Sequence, residues 1–195
     1  MKKQFCIILL LFLTSNIYCQ QVKKIIFGIK TGAAFAKSKM DYVSNGSSPN
    51  IKMKADIMGG VFVNIYLNKN ISLQPALLYV PKGGRESIYS GEYYPLRYTY
   101  IETPLNIVYK TKASSGTFYF GGGLSPAFRI KSYLFGNDDV KDFDVGINVL
   151  AGYMVPLGFS INHNYTYGLL NLSIDKNYAS KIQNRFVGVT AGYEF

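Results

Sequence analysis

The chain has 195 residues and a formal charge of +10, and it is 48% apolar, 15% aromatic and only 16% charged. That length fits one core or one barrel, not two ordinary domains with a linker. The apolar and aromatic content excludes a disordered chain, and the abundance of Tyr (17), Phe (13) and Gly (19) beside few strong helix formers excludes a helical bundle.

The first element in the chain is an address. Lys2 and Lys3 precede the apolar run Ile7 to Leu13, and polar Thr14, Ser15 and Asn16 follow it. This is the anatomy of a secretory signal peptide, too short to cross ~30 Å of hydrocarbon as a helix. Residues 1–20 are therefore assigned to a cleaved signal and residues 21–195 to the exported domain, with the cut near Cys19 or Gln20. A lipidated Cys19 is disfavoured by bulky Tyr18, where a lipobox wants a small residue. Both cysteines, Cys6 and Cys19, fall in the signal, so the mature chain is expected to carry no disulfide and a charge of +8.

What recurs afterwards is a period of two, the mark of strands with two chemically different faces. The first segment sets Phe27, Ile29, Thr31, Ala33 and Phe35 against Gly28, Lys30, Gly32 and Ala34. The second sets Ile57, Val61, Ile65 and Leu67 against Asp56, Phe62, Asn64 and Tyr66; the third, Ile71, Leu73, Leu77 and Tyr79 against Ser72, Gln74, Ala76 and Leu78. In the fourth, Ile101, Leu105, Ile107 and Tyr109 oppose Tyr100, Glu102, Asn106 and Val108. The fifth opposes Phe118, Phe120, Leu124 and Phe128 to Tyr119, Gly121, Ser125, Arg129 and Lys131. Phe143 to Tyr153, Phe159 to Tyr167, and Phe186 to Phe195 alternate in the same way and complete eight segments.

Short connections at 68–70, 111–117 and 154–158 alternate with longer polar ones at 37–54, 83–97, 132–142 and 172–184. Short turns at one end and long loops at the other are what a transmembrane barrel shows, with the turns on the periplasmic side. A soluble barrel would also alternate, but with its apolar face inward and a charged exterior. Here the polar face is mostly Gly, Asn, Ser and Thr, which suits a packed interior. Phe27, Tyr79, Tyr109, Tyr153, Tyr193 and Phe195 close the apolar face at strand ends, as interfacial girdles do. The expected fold is an all-β, eight-stranded, antiparallel up-and-down transmembrane β-barrel, with the last strand paired to the first.

The polar face collects Lys30, Asp56, Asn64, Gln74, Glu102, Asn106, Arg129, Asp144, Asn148, Asn162 and Glu194. Mixed signs point to an internal network, with Lys30 and Arg129 neutralising the acids. The rival reading, Glu102 with Asp144 as an acid–base pair, ranks below it. Phe62, Tyr66, Tyr119 and Phe186 are expected to fill the remaining lumen. His163 is the single histidine, so no His/Cys metal site is expected and no cofactor is implied. Its place in the lipid-facing phase, five residues past the turn, sets it near mid-membrane, far from the headgroups a lipid hydrolase would need.

Gly121, Gly122 and Gly123 precede no helix and so form no phosphate cradle; they are expected to admit bulky neighbours such as Phe62 or Phe186. Lys37, Lys39, Lys52, Lys54, Lys82, Arg85, Arg97, Lys176 and Lys181 lie in or beside the long segments, facing acidic glycans or lipid phosphates rather than nucleic acid.

With these segments in view, the chain resembles the small outer-membrane β-barrel proteins of the Bacteroidetes, the PorT-like group. The resemblance is carried by Phe27-Gly28-Ile29-Lys30-Thr31-Gly32, by Ile71 to Tyr79 (ISLQPALLY), and by Lys82-Gly83-Gly84. Tyr100-Ile101-Glu102-Thr103-Pro104-Leu105, Tyr165-Thr166-Tyr167-Gly168-Leu169 and the end Val189 to Phe195 extend it over the mature chain.

The resemblance implies a Gram-negative outer-membrane location, contact with outer-membrane lipid, and Tyr193 with Phe195 as the terminal signal read by the barrel-assembly machinery. Two roles follow: a non-enzymatic structural or interaction protein presenting outer loops, or an accessory of the type IX secretion apparatus. A lipid-modifying enzyme ranks last. The chain departs from the group at Ala76, where an acidic residue is usual, and at His163, where an apolar one is. Pro75, Pro104 and Pro126 each forfeit a ladder hydrogen bond, and bulges are the expected accommodation.

Overall fold

The computed structural model describes residues 24–42, 51–87, 93–133, 140–174 and 179–195; the signal assignment at 1–20 lies outside the described residues. Among the described residues, ten strands form eight staves: β1 (Ile25–Tyr42), β2 (Ile51–Lys52) followed by β3 (Lys54–Tyr66), and β4 (Ile71–Ser87). The fourth stave is β5 (Tyr93–Glu102) followed by β6 (Leu105–Ala113), and the rest are β7 (Gly116–Tyr133), β8 (Phe143–Met154), β9 (Phe159–Gly168) and β10 (Ala179–Glu194). Each stave pairs antiparallel with the next.

The ends meet as the hydrophobic pattern requires. β1 pairs with β10 from Gly28↔Glu194 to Asp41↔Lys181 without a break in register. The Phe195 N–H then donates to the Phe27 carbonyl at 2.9 Å. The eight-stranded closed barrel expected from the alternation is the fold of this chain.

Which face is apolar separates the two barrel types, and it is the outer one. Phe27 and Ile29 on β1, Ile57 and Val61 on β3, Ile107 on β6 and Ile161 on β9 all point away from the lumen and are exposed, Ile57 to 79%. Their neighbours in sequence, Met58, Phe62, Asn106 and Ser160, are buried inside. A water-facing exterior of this kind would be a severe aggregation hazard; in a bilayer it is the favourable surface.

Aromatic rings meet across adjacent staves near the short-turn end. Tyr109–Phe120, Phe118–Tyr153 and Phe159–Tyr193 pair at 5.4, 4.8 and 4.8 Å, and Tyr193–Phe195 at 5.2 Å. This is the interfacial girdle expected at strand ends.

The reading of the strand ends and that of the prolines are corrected. The staves run well into segments read as loops: β1 continues to Tyr42, β4 to Ser87, and β10 begins at Ala179. Alternation fades there because the strands have left the bilayer, so their outward positions are free to be polar.

No bulge accommodates the prolines. Pro75 stays opposite Leu105 and Pro126 opposite Val145 in unshifted register, and β5 and β6 keep one register against β4 and against β7 across Pro104. The proline carbonyls keep their bonds to the neighbouring staves: Ala76 N–H donates to Pro104 O at 3.0 Å and Thr103 N–H to Pro126 O at 2.8 Å. The shift in the β5–β7 ladder falls instead between Thr99 and Tyr100, leaving Ile130 as the extra residue, and it carries Lys131 to the outer face opposite Thr99.

His163 keeps unbroken pairing with Val189 and Ala151 and is exposed on the outer wall, as its phase in the sequence indicates.

Candidate functional site

Inward-facing side chains from all eight staves build a polar column in the lumen. At its base Lys110 on β6 pairs with Glu194 on β10 at 2.9 Å and donates to the Tyr66 hydroxyl at 2.8 Å. Asn64 Nδ2 donates to the same Glu194 carboxylate at 2.9 Å, while its Oδ1 accepts from Gln74 at 3.0 Å and from Ser72 at 3.4 Å. Tyr119 donates to Asn162 on β9. Below this layer, at the short-turn mouth, lies an open recess of about 930 Å³ bordered by Lys24, Lys69, Lys112 and Asn70.

The middle layer is uncharged apart from Lys30. Asn148 donates to Asn106 at 2.8 Å and accepts from Thr166 at 3.0 Å. Lys30 lies over the Phe62 ring, 5.6 Å from its centroid, a favourable cation–π geometry.

The upper layer holds the strongest charges. Lys82 Nζ is 3.0 Å from Glu102 and 3.7 Å from Asp144, and all three side chains are almost completely buried. Ser125 donates to Glu102 at 2.5 Å and Asn184 to Asp144 at 3.3 Å. The same ammonium faces the rings of Tyr100 at 4.9 Å and Phe186 at 5.6 Å.

The residues read from the sequence as interior thus divide. Asn64, Gln74 and Glu194 meet at the base, Asn106 and Asn148 in the middle, and Glu102 and Asp144 at the top. Asp56 instead pairs with Lys54 at 2.7 Å. Arg129 leaves the column for Asp142, which is exposed, at 2.7 Å.

The expected neutralising cations are therefore wrong. Lys82 and Lys110, not Lys30 and Arg129, sit on the acids. Lys82 looked like a loop residue because Gly83 and Gly84 follow it, and Lys110 lies one residue past Tyr109, where the fourth alternating segment was ended. Their even-numbered phase, shared with Gln74 and Asn106, is the signal that would have found both. The glycine reading also changes: an added Cβ at Gly121 or Gly123 would meet the β6 backbone at 2.3 and 1.8 Å. Phe62 lies instead against Gly28, and Tyr119 against Gly152, where a Cβ would fall 2.3 and 2.5 Å from the ring atoms.

Both buried carboxylates of the upper layer are held by one lysine. That geometry ties them up as structural anions rather than leaving one free to move protons. Among the described residues, no three His, Cys, Asp or Glu side chains converge as metal ligands.

A closed barrel with lipid-facing walls and a side-chain-filled lumen defines a small outer-membrane-type barrel. Residues 18–173 match the outer membrane protein beta-barrel domain family, and the chain belongs to that family; it is a protein of the outer membrane. The matched segment stops short of β10, the stave that closes the wall.

The fold is similar to the crystal structure of Neisserial surface protein A, at 17% identity and a TM-score of 0.51, over 87% of this chain and 97% of that one. It is also similar to the solid-state NMR structure of outer membrane protein AlkL in lipid bilayers, at 15% identity and a TM-score of 0.50, over 93% of this chain and 96% of that one. At such identities the likeness concerns fold alone. The comparison with curated proteins gives no match.

The two kinds of ion pair predict very different mutational costs. Lys82→Met leaves Glu102 and Asp144 buried without a cation and should lower unfolding stability by ~3–5 kcal/mol. Arg129→Met, whose partner Asp142 is 77% exposed, should cost under ~1 kcal/mol. Urea unfolding of the refolded barrel in lipid vesicles measures both. Adding Glu102→Gln and Asp144→Asn to Lys82→Met should recover most of the loss.

Proposed function

We propose that this barrel is a non-catalytic scaffold of the outer membrane that acts through its rim, as an interaction partner for another protein. The observation that carries this reading is strand length. β1 has 18 residues, β4 17, β7 18 and β10 16, whereas ~9–11 residues cross a bilayer. The surplus stands above the membrane as a collar, packed inside by Tyr98, Tyr100, Ala127, Val140, Leu172 and Ile182. A collar with its own core presents its surface rigidly, and pre-organisation of that kind favours binding. Exposed Lys37, Lys52 and Lys181 favour an acidic partner surface.

The finer assignment follows the sequence resemblance: a PorT-like protein of the Bacteroidetes, made with residues 1–20 as its export signal. The motifs from Phe27 to Gly32 and from Ile71 to Tyr79 support a second reading, an accessory of the type IX secretion apparatus. Placing a photocrosslinking residue at Lys52 or Lys181 in living cells should yield a protein adduct of discrete mass that Lys69, at the opposite mouth, does not. Adducts at neither rim position would count against the interaction role, and so would stable single-channel steps in planar bilayers. Normal secretion after deletion of the gene would remove the second reading.

Tyr193 and Phe195 are proposed as the signal for the barrel-assembly machinery. Phe195 is 73% exposed and completes the girdle, so its ring anchors β10 at the interface. A chain ending at Glu194 should reach the periplasm but give far less of the heat-modifiable folded band in outer-membrane fractions. Equal folded amounts would show that the cue lies deeper in the strand.

A further inference from the structure

The wall is not laddered everywhere. β3 and β4 keep one register from Tyr66↔Ser72 up to Gly59↔Tyr79, interrupted at Val63 and Asn64, opposite Pro75 and Gln74. Pairing with β4 resumes only at Lys52↔Arg85 and Ile51↔Glu86, one residue out of step. Among the described residues, those at 54–58 have no strand partner on β4 and those at 80–84 none on β3. Yet β3 stays laddered to β1 as far as Lys54 and β4 to β5 as far as Ser87. The seam is therefore open over about 16 Å, five residues at strand spacing.

Two features hold it open. Gly83 has φ +119°, a conformation that L side chains rarely adopt, and Lys82 is anchored to Glu102 inside the lumen. Together they draw upper β4 inward, so that Pro81 and Thr99, at outward positions, are buried. The result is a recess of about 480 Å³ on the outer face, lined by Thr31, Ile57, Gly59, Tyr79, Pro81 and Lys131.

Its height matters. The outward apolar stripes end at this level, with Phe35, Ile57, Tyr79 and Ile130 below and Lys37 and Lys131 above. An open strand edge is intolerable in hydrocarbon but can be satisfied by polar headgroups. An occupant must therefore be apolar against Ile57, Tyr79 and Pro81 and polar along the strand edges. Lys131 is exposed and makes no ion pair among the described residues, whereas Asp56, the acid lining the recess, is already paired with Lys54 at 2.7 Å. The charge left for an occupant is positive.

We propose that this recess is a lipid-binding site, holding one acyl chain of a phosphorylated lipid of the outer leaflet with its phosphate on Lys131. The site is independent of whatever the collar binds.

The chain contains no tryptophan, so Tyr79→Trp places a single fluorophore in the recess. Phe120→Trp, on the outer wall in the β6–β7 girdle, serves as the control. Each full-length protein is folded into phosphatidylcholine vesicles carrying increasing dibrominated phosphatidic acid or dibrominated phosphatidylcholine, with folding checked by heat-modifiable mobility. The Tyr79→Trp protein should reach half-quenching at about threefold less brominated phosphatidic acid than brominated phosphatidylcholine, the scale of one interfacial ion pair. The Phe120→Trp protein should not distinguish the two lipids.

Adding Lys131→Gln to Tyr79→Trp should abolish the preference. So should Gly59→Val, which fills the recess while leaving the charge. Equal curves at position 79 would overturn the proposal. A preference that survives either substitution, or one that also appears at position 120, would overturn it as well.

Discussion

A backbone amide or carbonyl left unpaired in hydrocarbon costs several kcal/mol, and the rest of this structure depends on that constraint. It makes β10 return to β1 rather than leave an edge, with pairing from Gly28↔Glu194 to Asp41↔Lys181. The carbonyls of Pro104 and Pro126 take up neighbouring N–H groups where proline supplies no donor of its own. Among the described residues, the stretch where upper β3 and β4 are not laddered to each other lies at the level where headgroups replace hydrocarbon.

Closure in turn creates the electrostatic problem of the lumen. An eight-stranded barrel leaves space for side chains and little else, so any charge that enters is buried. Lys82 and Lys110 meet it in the same way. Each pairs with carboxylate and lies over aromatic rings, Tyr100 and Phe186 for Lys82, Tyr66 and Tyr119 for Lys110. The rings fill volume that water would otherwise occupy, and their faces favour the cation. Plugging and neutralisation are therefore carried by the same residues, which directs attention from the lumen to the collar and the outer wall.

The membrane-spanning part of the fold was legible because the bilayer enforces a strict period of two: a lipid-facing position that is not apolar is costly, so Ile57, Ile107 and Ile161 declare the outer face unaided. Above the bilayer that pressure ends. Consequently β4 beyond Val80 reads as a Lys-Gly-Gly loop although it is a strand, and Lys82 was assigned to solvent. The amides of the column, Asn64, Gln74, Asn106 and Asn148, were visible by phase, but their partners were not. Partnership depends on stagger between staves distant in sequence, and Lys110 to Glu194 spans 84 residues. The open seam was hidden for the same reason, since alternation in one strand says nothing about whether its neighbour is bonded to it.

The most direct test is a disulfide across the closing seam. In the chain from Gln21 onward, which has no cysteine, Ala33→Cys and Val189→Cys occupy directly paired positions, within the Cα separation a disulfide accepts. A closed barrel predicts near-complete disulfide formation in bilayers, with folded gel mobility retained, and none for Ala33→Cys with Tyr193→Cys, four residues out of register. Failure of the first pair to oxidise in folded protein, or equal oxidation of both pairs, would contradict a wall closed in this register.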